Sequence, residues 1–151
     1  MSFHRVTGQL WVGGSMSADD WKQLNDQGVT VSVNLRQSVR DDFGDRPPEV
    51  ALWAPVADGS MPDVDRLLMI GVFIGAAARE GRRVVVHCKA GVGRAPLTAA
   101  CYLVTTGISF DEAQDALRQA GVEVHANAGQ LAVARDFIRV WRERQALEGK
   151  A

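Results

Sequence analysis

The chain has 151 residues, of which 46% are hydrophobic, and its formal net charge is −1. This length and apolar content suffice for a sizeable core, so we predict one domain over residues 1–151. The near-neutral charge provides no general basic field, so we expect no binding to nucleic acid or to a membrane surface. The longest apolar-rich stretch, Leu67 to Ala78, is too short for stable insertion into a bilayer.

The first third of the chain is predicted to form a hairpin, a helix and a strand. Two short apolar segments flank Thr7-Gly8, which is typical of a hairpin turn. Ser17 is a suitable N-cap for a helix that Gly28 ends. From Val29 to Leu35 apolar and polar residues alternate strictly, which predicts a strand with its valines on one face.

Two loops and a helix follow. Residues 36–48 are charged, and their composition fits a solvated loop and a substrate-contacting loop equally well. After a strand over Val50 to Ala54, residues 57–62 form a second loop, and Pro62 fits the first turn of the next helix. The glycines of this helix suggest close packing of its apolar face on the sheet. That face contains Val64, Leu67, Leu68, Gly71, Val72 and Gly75.

A central strand and two helices come next. Val84-Val85-Val86 has the composition of a buried strand, and Leu97 to Val104 has that of a helix, which Gly107 ends. Ser109 begins a capping-box sequence, and the helix after it ends at Gly121.

The last helix begins near Ala128, and from Glu143 the chain continues as a polar tail that is expected to fray. The predicted core stripe of this helix contains Leu131, Ala134, Phe137, Ile138 and Trp141. Strands that alternate with helices, followed by several helices, predict an α/β fold with a mostly parallel central sheet flanked by helices.

The functional signal lies after the central strand, in the sequence His87-Cys88-Lys89-Ala90-Gly91-Val92-Gly93-Arg94. A tight loop before a helix directs backbone N–H groups and the helix dipole at one spot, which predicts an anion site. The same environment favours a thiolate at Cys88, and the Arg94 guanidinium can bind two phosphate oxygens. A buried structural cysteine before a glycine turn is the alternative. Nucleophile, amides and guanidinium together are what a phosphoenzyme mechanism needs.

The motif His87-Cys88-x-x-Gly91-x-x-Arg94 resembles the signature of the cysteine-dependent protein tyrosine phosphatase superfamily, and the short chain resembles its compact dual-specificity branch. Residues 127–131, Asn-Ala-Gly-Gln-Leu, are similar to a late segment of that family. The resemblance implies a dual-specificity phosphatase-like fold with Cys88 as the nucleophile, Arg94 on the phosphoryl oxygens and His87 supporting the loop. A plain structural histidine also fits position 87. The implied substrate-binding residues are Lys89, Ala90, Gly91, Val92, Gly93 and Arg94.

The leaving group needs a proton from a general acid. Asp58 is the candidate, because it lies on a loop after a strand, thirty residues before Cys88, where the family has its mobile acid loop. Asp63 and Asp65 are alternatives, although both fall in the predicted first helical turns, where acids favour the helix dipole anyway. No His/Cys cluster has metal-ligand spacing, and the chemistry needs neither a metal nor another cofactor.

Two positions bear on substrate and rate. A lysine directly after the nucleophile, here Lys89, occurs in relatives that act on phosphoinositides or phosphatidylglycerophosphate; it contacts an additional phosphate or is simply solvated. Ala95 stands where most of the superfamily has Ser or Thr, whose hydroxyl stabilises the departing thiolate. The run Gly93-Arg94-Ala95-Pro96 resembles that of plant glucan phosphatases, which are active.

We therefore predict a phosphomonoester hydrolase of the dual-specificity protein phosphatase type, acting on a phosphorylated protein or a small phosphomonoester. A phosphoinositide or glucan phosphatase of the same fold is one alternative, and a phosphate-binding pseudophosphatase is another. Two cysteines and an N-terminus without the apolar run of a signal peptide indicate a cytoplasmic protein, which we expect to be a monomer.

Overall fold

The computed structural model describes residues 3–149, which form five strands and five helices. The strands are β1 (Phe3–Arg5), β2 (Leu10–Gly13), β3 (Val29–Asn34), β4 (Val50–Trp53) and β5 (Arg83–His87). The helices are α1 (Ala18–Asp26), α2 (Val64–Arg79), α3 (Arg94–Thr105), α4 (Phe110–Gln119) and α5 (Ala128–Glu148). Within residues 3–149, none of the helices is both long and apolar enough to cross a membrane.

The strands form one sheet in the order β1-β2-β5-β3-β4. The hairpin of β1 and β2 is antiparallel, and all other neighbours are parallel. The predicted mostly parallel sheet flanked by helices is confirmed. Because the carboxyl ends of parallel strands meet at one edge of a sheet, β2, β3 and β5 bring the segments after Gly13, Asn34 and His87 together there.

The central strand β5 is buried on both faces. Val84 and Val86 belong to the main core, under α2, α3, α4 and α5, whereas Val85 packs with Trp21 and Leu24 of α1 on the opposite face. A strand covered on both sides has no polar face, which explains the unbroken run of valines in the sequence.

The prediction that the valines of β3 share one face is wrong for Val29. The register between β3 and β5 shifts between Val29 and Val31. As a result Val29 packs against the α1 cluster, while Val31 and Val33 lie in the main core. An irregularity of this kind takes one residue out of the alternation, and the regular sequence pattern contains no sign of it.

The buried face of α2 also differs from the predicted one. Its buried residues are Leu67, Ile70, Ile74 and Ala77. Val72 is 67% exposed, and a Cβ added to Gly71 would meet nothing within 4 Å, so this side does not pack on the sheet. The helix is apolar around most of its circumference, and spacing alone therefore selects no single face.

The ends of the helices confirm some predictions and correct others. Ser17 is the N-cap of α1 and Ser109 forms a capping box, as expected; Ser17 also forms a capping box, with Asp20, which was not predicted. Pro62 lies before Asp63, the N-cap of α2, and so outside the first turn where it was predicted. Residues 143–148, predicted to be a polar tail, are exposed and form the last turns of α5, and the expectation that they fray stays a prediction.

Candidate active site

The segment between β5 and α3 places Cys88 at the base of a loop. The side chain of Cys88 is buried, and its Sγ accepts a hydrogen bond from the backbone N–H of Gly91 at 3.3 Å. The backbone N–H of Cys88 donates to the carbonyl oxygen of Gly13 at 3.3 Å. The thiol therefore lies inside the loop, with a backbone donor already directed at the sulfur.

The loop rests on the backbone of residues 13–15, directly after β2. The N–H and the hydroxyl of Ser15 both donate to the Lys89 carbonyl oxygen, at 2.9 and 3.2 Å. A Cβ added to Gly14 would lie 2.9 Å from that oxygen. Gly91 has a φ of +74°, and a Cβ there would lie 2.7 Å from the backbone nitrogen of Gly14. Two stretches of backbone thus touch with no room for side chains. No role was assigned to residues 13–15 from the sequence, although a glycine pair directly after a strand was an available signal.

Arg94 is buried at the first position of α3 and is held from outside that helix. Its Nη1 donates to the carbonyl oxygens of Val56 at 2.7 Å and Leu35 at 3.4 Å, which follow β4 and β3. Its Nη2 lies 3.6 Å from Oδ1 of Asp58, whose side chain is 84% exposed. Two carbonyl oxygens from separate parts of the chain therefore hold the guanidinium, and the exposed Asp58 carboxylate lies near it.

A cavity of about 170 Å³ brings Cys88, Arg94 and Asp58 together. Its other lining residues are Gly59, Ala90, Val92, Gly93, His125, Asn127 and Gln130. Of the predicted loop residues, Lys89 faces a neighbouring cavity instead. Gly91 lines neither of the two cavities and contributes its N–H to the sulfur.

The N-terminus of α5 forms the far wall of this cavity. The side-chain amide of Asn127 donates to the Gly59 carbonyl oxygen at 2.8 Å, and that of Gln130 donates to the Ser60 carbonyl oxygen at 3.0 Å. These bonds hold the loop that carries Asp58 against α5. In the sequence, only the resemblance of residues 127–131 to a segment of the family pointed to the start of α5. Nothing in the sequence pointed to His125, which also lines the cavity.

The two alternative acids lie elsewhere. Asp63 accepts a hydrogen bond from the Arg66 backbone N–H at 2.9 Å as the N-cap of α2, and Asp65 follows in the first turn. Neither residue lines the cavity that contains Cys88. Asp58 is the carboxylate that reaches Arg94.

His87 is completely buried on the α1 side of the sheet, beside Ser32. Its Nε2 lies 2.9 Å from Oδ1 of Asp41 and 3.3 Å from the Ser32 hydroxyl. That hydroxyl donates to Oδ2 of Asp41 at 2.7 Å, and Arg36 lies 3.1 Å from Oδ1. Burial raises the pKa of Asp41. This effect is outweighed by the hydrogen bond and charge of His87, the hydrogen bond from Ser32 and the charge of Arg36, which keep the pKa below its usual value.

The charged loop after β3 is therefore not a purely solvated one. Besides Asp41, two partly buried contacts fix this loop: the Asn34 amide donates to the Val39 carbonyl oxygen at 2.8 Å, and the Trp53 indole donates to the Arg36 carbonyl oxygen at 2.7 Å. The Arg40 guanidinium lies 5.1 Å from the Trp53 ring centroid. No sequence motif marked Arg36 and Asp41 as parts of the site.

This geometry agrees with comparisons to known proteins. The model of a family described as a DSP-PTPase phosphatase of polymorphic toxin systems matches residues 8–108, from the hairpin to the end of α3. The chain belongs to the dual-specificity phosphatase family.

Individual members of the phosphatase family show how far the likeness extends. Mouse dual specificity phosphatase 28 is 32% identical over 130 residues, which are 84% of this chain and 78% of that protein. Mouse dual specificity protein phosphatase 12 is 30% identical over 125 residues, 80% of this chain and 36% of that protein. The chain thus spans about a third of that relative's length. The crystal structure of human DUSP28 superposes with a TM-score of 0.80 at 26% identity, covering 94% of this chain and 96% of that one.

Two further residues of the phosphatase loop and helix bear on the chemistry. Ala95 is completely buried in the first turn of α3 and offers no hydroxyl to the sulfur. The second cysteine, Cys101, lies deep in the core, and burial raises the pKa of its thiol to about 12. Within residues 3–149 no three His, Cys, Asp or Glu side chains are grouped so that they could hold a metal ion.

Proposed function

We propose that this phosphatase hydrolyses phosphomonoesters of proteins through a cysteinyl-phosphate intermediate, with Cys88 as nucleophile, Arg94 as phosphate ligand and Asp58 as general acid. The observation that carries the proposal is the convergence of these three side chains on one cavity of about 170 Å³. The lining thus combines a sulfur, a guanidinium and a carboxyl group around a space that suits a phosphoryl group.

In the first step the Cys88 sulfur attacks phosphorus, the bond to the leaving oxygen breaks, and Asp58 gives that oxygen its proton. The backbone N–H groups of the loop residues that line the cavity, Ala90, Val92 and Gly93, and the Arg94 guanidinium bind the equatorial oxygens, where charge is spread in the transition state. Because carbonyl oxygens already hold the guanidinium, it needs little reorganisation during the reaction.

In the second step water attacks phosphorus, the sulfur–phosphorus bond breaks, and the Asp58 carboxylate accepts the proton of the water. Inorganic phosphate leaves and the Cys88 thiolate is regenerated. His87 acts as a positioning residue, since its ring is fixed by Asp41 and Ser32 directly beside the nucleophile in the chain. These contacts favour a role for His87 in supporting the loop over the alternative of a plain structural histidine.

The other predicted properties are also proposals. Both cysteines are unpaired and buried, which suits a reducing cytoplasm and a thiol-dependent reaction. We propose a monomer with one domain over residues 1–151. A phosphoinositide or glucan substrate remains compatible with the same chemistry, whereas a pseudophosphatase is disfavoured by an intact set of nucleophile, cation and acid.

Phosphate release from 4-nitrophenyl phosphate and from a phosphotyrosine peptide tests the proposal, with wild type, Cys88→Ser and Cys101→Ala. We expect Cys88→Ser to abolish turnover while phosphate and vanadate still bind, because the amides and Arg94 remain. Cys101→Ala removes the other buried thiol and should keep activity in its folded fraction. Equal activity in wild type and Cys88→Ser, or no release by wild type from either compound, would overturn the proposal.

A further inference from the structure

The acid loop, residues 57–62, is attached to the rest of the protein through its backbone and hardly through Asp58 itself. In its first turn the Ser60 N–H donates to the Ala57 carbonyl oxygen at 3.0 Å. The side chain of Asp58 is 84% exposed, and its carboxyl group lies 3.6 Å from Nη2 of Arg94, which is too long for a hydrogen bond. The position of this carboxyl group therefore depends on the contacts that hold the backbone of the turn.

Two side chains at the start of α5 hold this backbone. The Asn127 amide donates to the Gly59 carbonyl oxygen at 2.8 Å, and the Gln130 amide donates to the Ser60 carbonyl oxygen at 3.0 Å. The same side chains form the capping box of α5, in which the oxygen of each accepts from the backbone N–H of the other, at 2.8 and 3.0 Å. Each amide thus caps the helix with its oxygen and binds the acid loop with its nitrogen.

The start of α5 is also attached to the loop that contains Cys88. The His125 N–H donates to the Val92 carbonyl oxygen at 2.7 Å. A Cβ added to Gly93 would lie 3.1 Å from the side-chain nitrogen of Gln130, so this side chain, which is 4% exposed, packs directly on the backbone of that loop. Residues 125–130 therefore contact the loop of the nucleophile and the loop of the acid at once.

We propose that Asn127 and Gln130 are positioning residues for the general acid, which set the place of the Asp58 carboxyl group relative to the Cys88 sulfur. A general acid acts only within hydrogen-bond reach of the leaving oxygen, and a displacement of about 1 Å costs about a hundredfold in rate. The inference rests on the proposed function, because it assumes that Asp58 protonates the leaving group. It gives the start of α5 a part in the first step of the reaction.

Asn127→Ser separates this role from helix capping. Serine caps a helix about as well as asparagine, but its side chain is shorter and loses the bond to the Gly59 carbonyl oxygen. On phenyl phosphate, which has a poor leaving group, kcat/KM should fall about fivefold, as the loss of one hydrogen bond implies. On 4-nitrophenyl phosphate, whose leaving group needs little protonation, kcat/KM should hardly change.

The ratio of kcat/KM for the two compounds is the decisive readout, because an inactive or unfolded fraction cancels from it. Gln130→Met removes the other bond to the acid loop and should lower the ratio for phenyl phosphate in the same way. Ser109→Ala is the control: it removes the N-cap of α4, outside the cavity that contains Cys88. This control should lower the Tm more than Asn127→Ser does, yet keep the wild-type ratio.

Asn127→Ser combined with Asp58→Asn shows whether the effect passes through Asp58. Without the acid nothing remains to be positioned, so on phenyl phosphate the double variant should match Asp58→Asn. Losses that multiply, or an unchanged ratio in Asn127→Ser, would overturn the inference, while a loss in Asp58→Asn confined to phenyl phosphate would leave the proposed function standing. Wild-type rates on phenyl phosphate in Asp58→Asn would overturn the proposed acid, and the inference with it.

Discussion

The close contact between Gly91 and the backbone of residues 13 and 14 predicts a specific cost for a single methyl group. Gly91→Ala forces a left-handed φ on a residue with a Cβ, which costs about 1–2 kcal/mol, offset by about 0.4–1 kcal/mol from the stiffer unfolded chain. The new Cβ would also lie 2.7 Å from the Gly14 nitrogen and 2.8 Å from the Gly13 carbonyl carbon. Backbone atoms cannot rotate away, so overpacking adds about 1–3 kcal/mol.

Gly81→Ala is a control with nearly the same backbone conformation. Gly81 has a φ of +77°, and a Cβ there would meet nothing within 4 Å. This variant should lose only about 1 kcal/mol, the net conformational cost, and should keep full activity. The difference between the two variants therefore measures the contact between Gly91 and the backbone of residues 13 and 14.

Urea unfolding of both variants, together with kcat/KM on 4-nitrophenyl phosphate, provides the measurement. We expect Gly91→Ala to be about 2–4 kcal/mol less stable than wild type. Its activity should fall about a hundredfold, because a shift of about 1 Å in a reacting group has that effect. If Gly91→Ala matches Gly81→Ala in both stability and activity, the reasoning that residues 13 and 14 shape the loop is refuted.

Three further predictions concern the acid, the buried network and the missing hydroxyl. Asp58→Asn should lower kcat strongly for poor leaving groups and weakly for good ones, and an equal loss for both would move the role to another acid such as Asp63. Asp41→Asn should cost about 3 kcal/mol in unfolding free energy at neutral pH, because Arg36 loses its buried partner, whereas the exposed Asp45→Asn should cost little. Since the pKa of Asp41 is lowered in the folded state, its stabilisation is present above the unfolded pKa of about 3.9 and is lost as pH falls through the folded pKa. The difference between Asp41→Asn and wild type should therefore close in acid, and a constant difference would contradict the ion pair. Rapid mixing of wild type should show a burst of leaving group, which Ala95→Ser should reduce while raising kcat about tenfold; no burst and an unchanged kcat would mean that expulsion of the thiolate does not limit the rate.

The sequence by itself determined the reactive loop and most of the elements around it. A run of valines, two spaced glycines and a helix-forming segment define strand, turn and helix N-terminus within about twenty residues, and each depends only on neighbours in the chain. The N-cap at Ser17 and the capping box at Ser109 were predictable for the same reason. The resemblance carried by the signature then identified the family.

The tertiary structure decided what depends on residues far apart in the chain. Val29 lies on the opposite face from Val31 and Val33 because the register between β3 and β5 shifts after Val29. The helix α2 buries Ile70 and Ile74 because its neighbours in the fold lie on that side. The spacing of apolar residues along the chain is the same whichever face is buried, so the sequence pattern does not predict which face that is.

The same limit applies to the site. Asp41 lies 46 residues before His87, and Gly14 lies 77 residues before Gly91, yet each pair is in contact. Carboxylates and glycines are common in exposed loops, so neither residue stands out by type. Only the sheet order, which places β2 and β3 on either side of β5, brings the loops after these strands beneath the loop that contains Cys88.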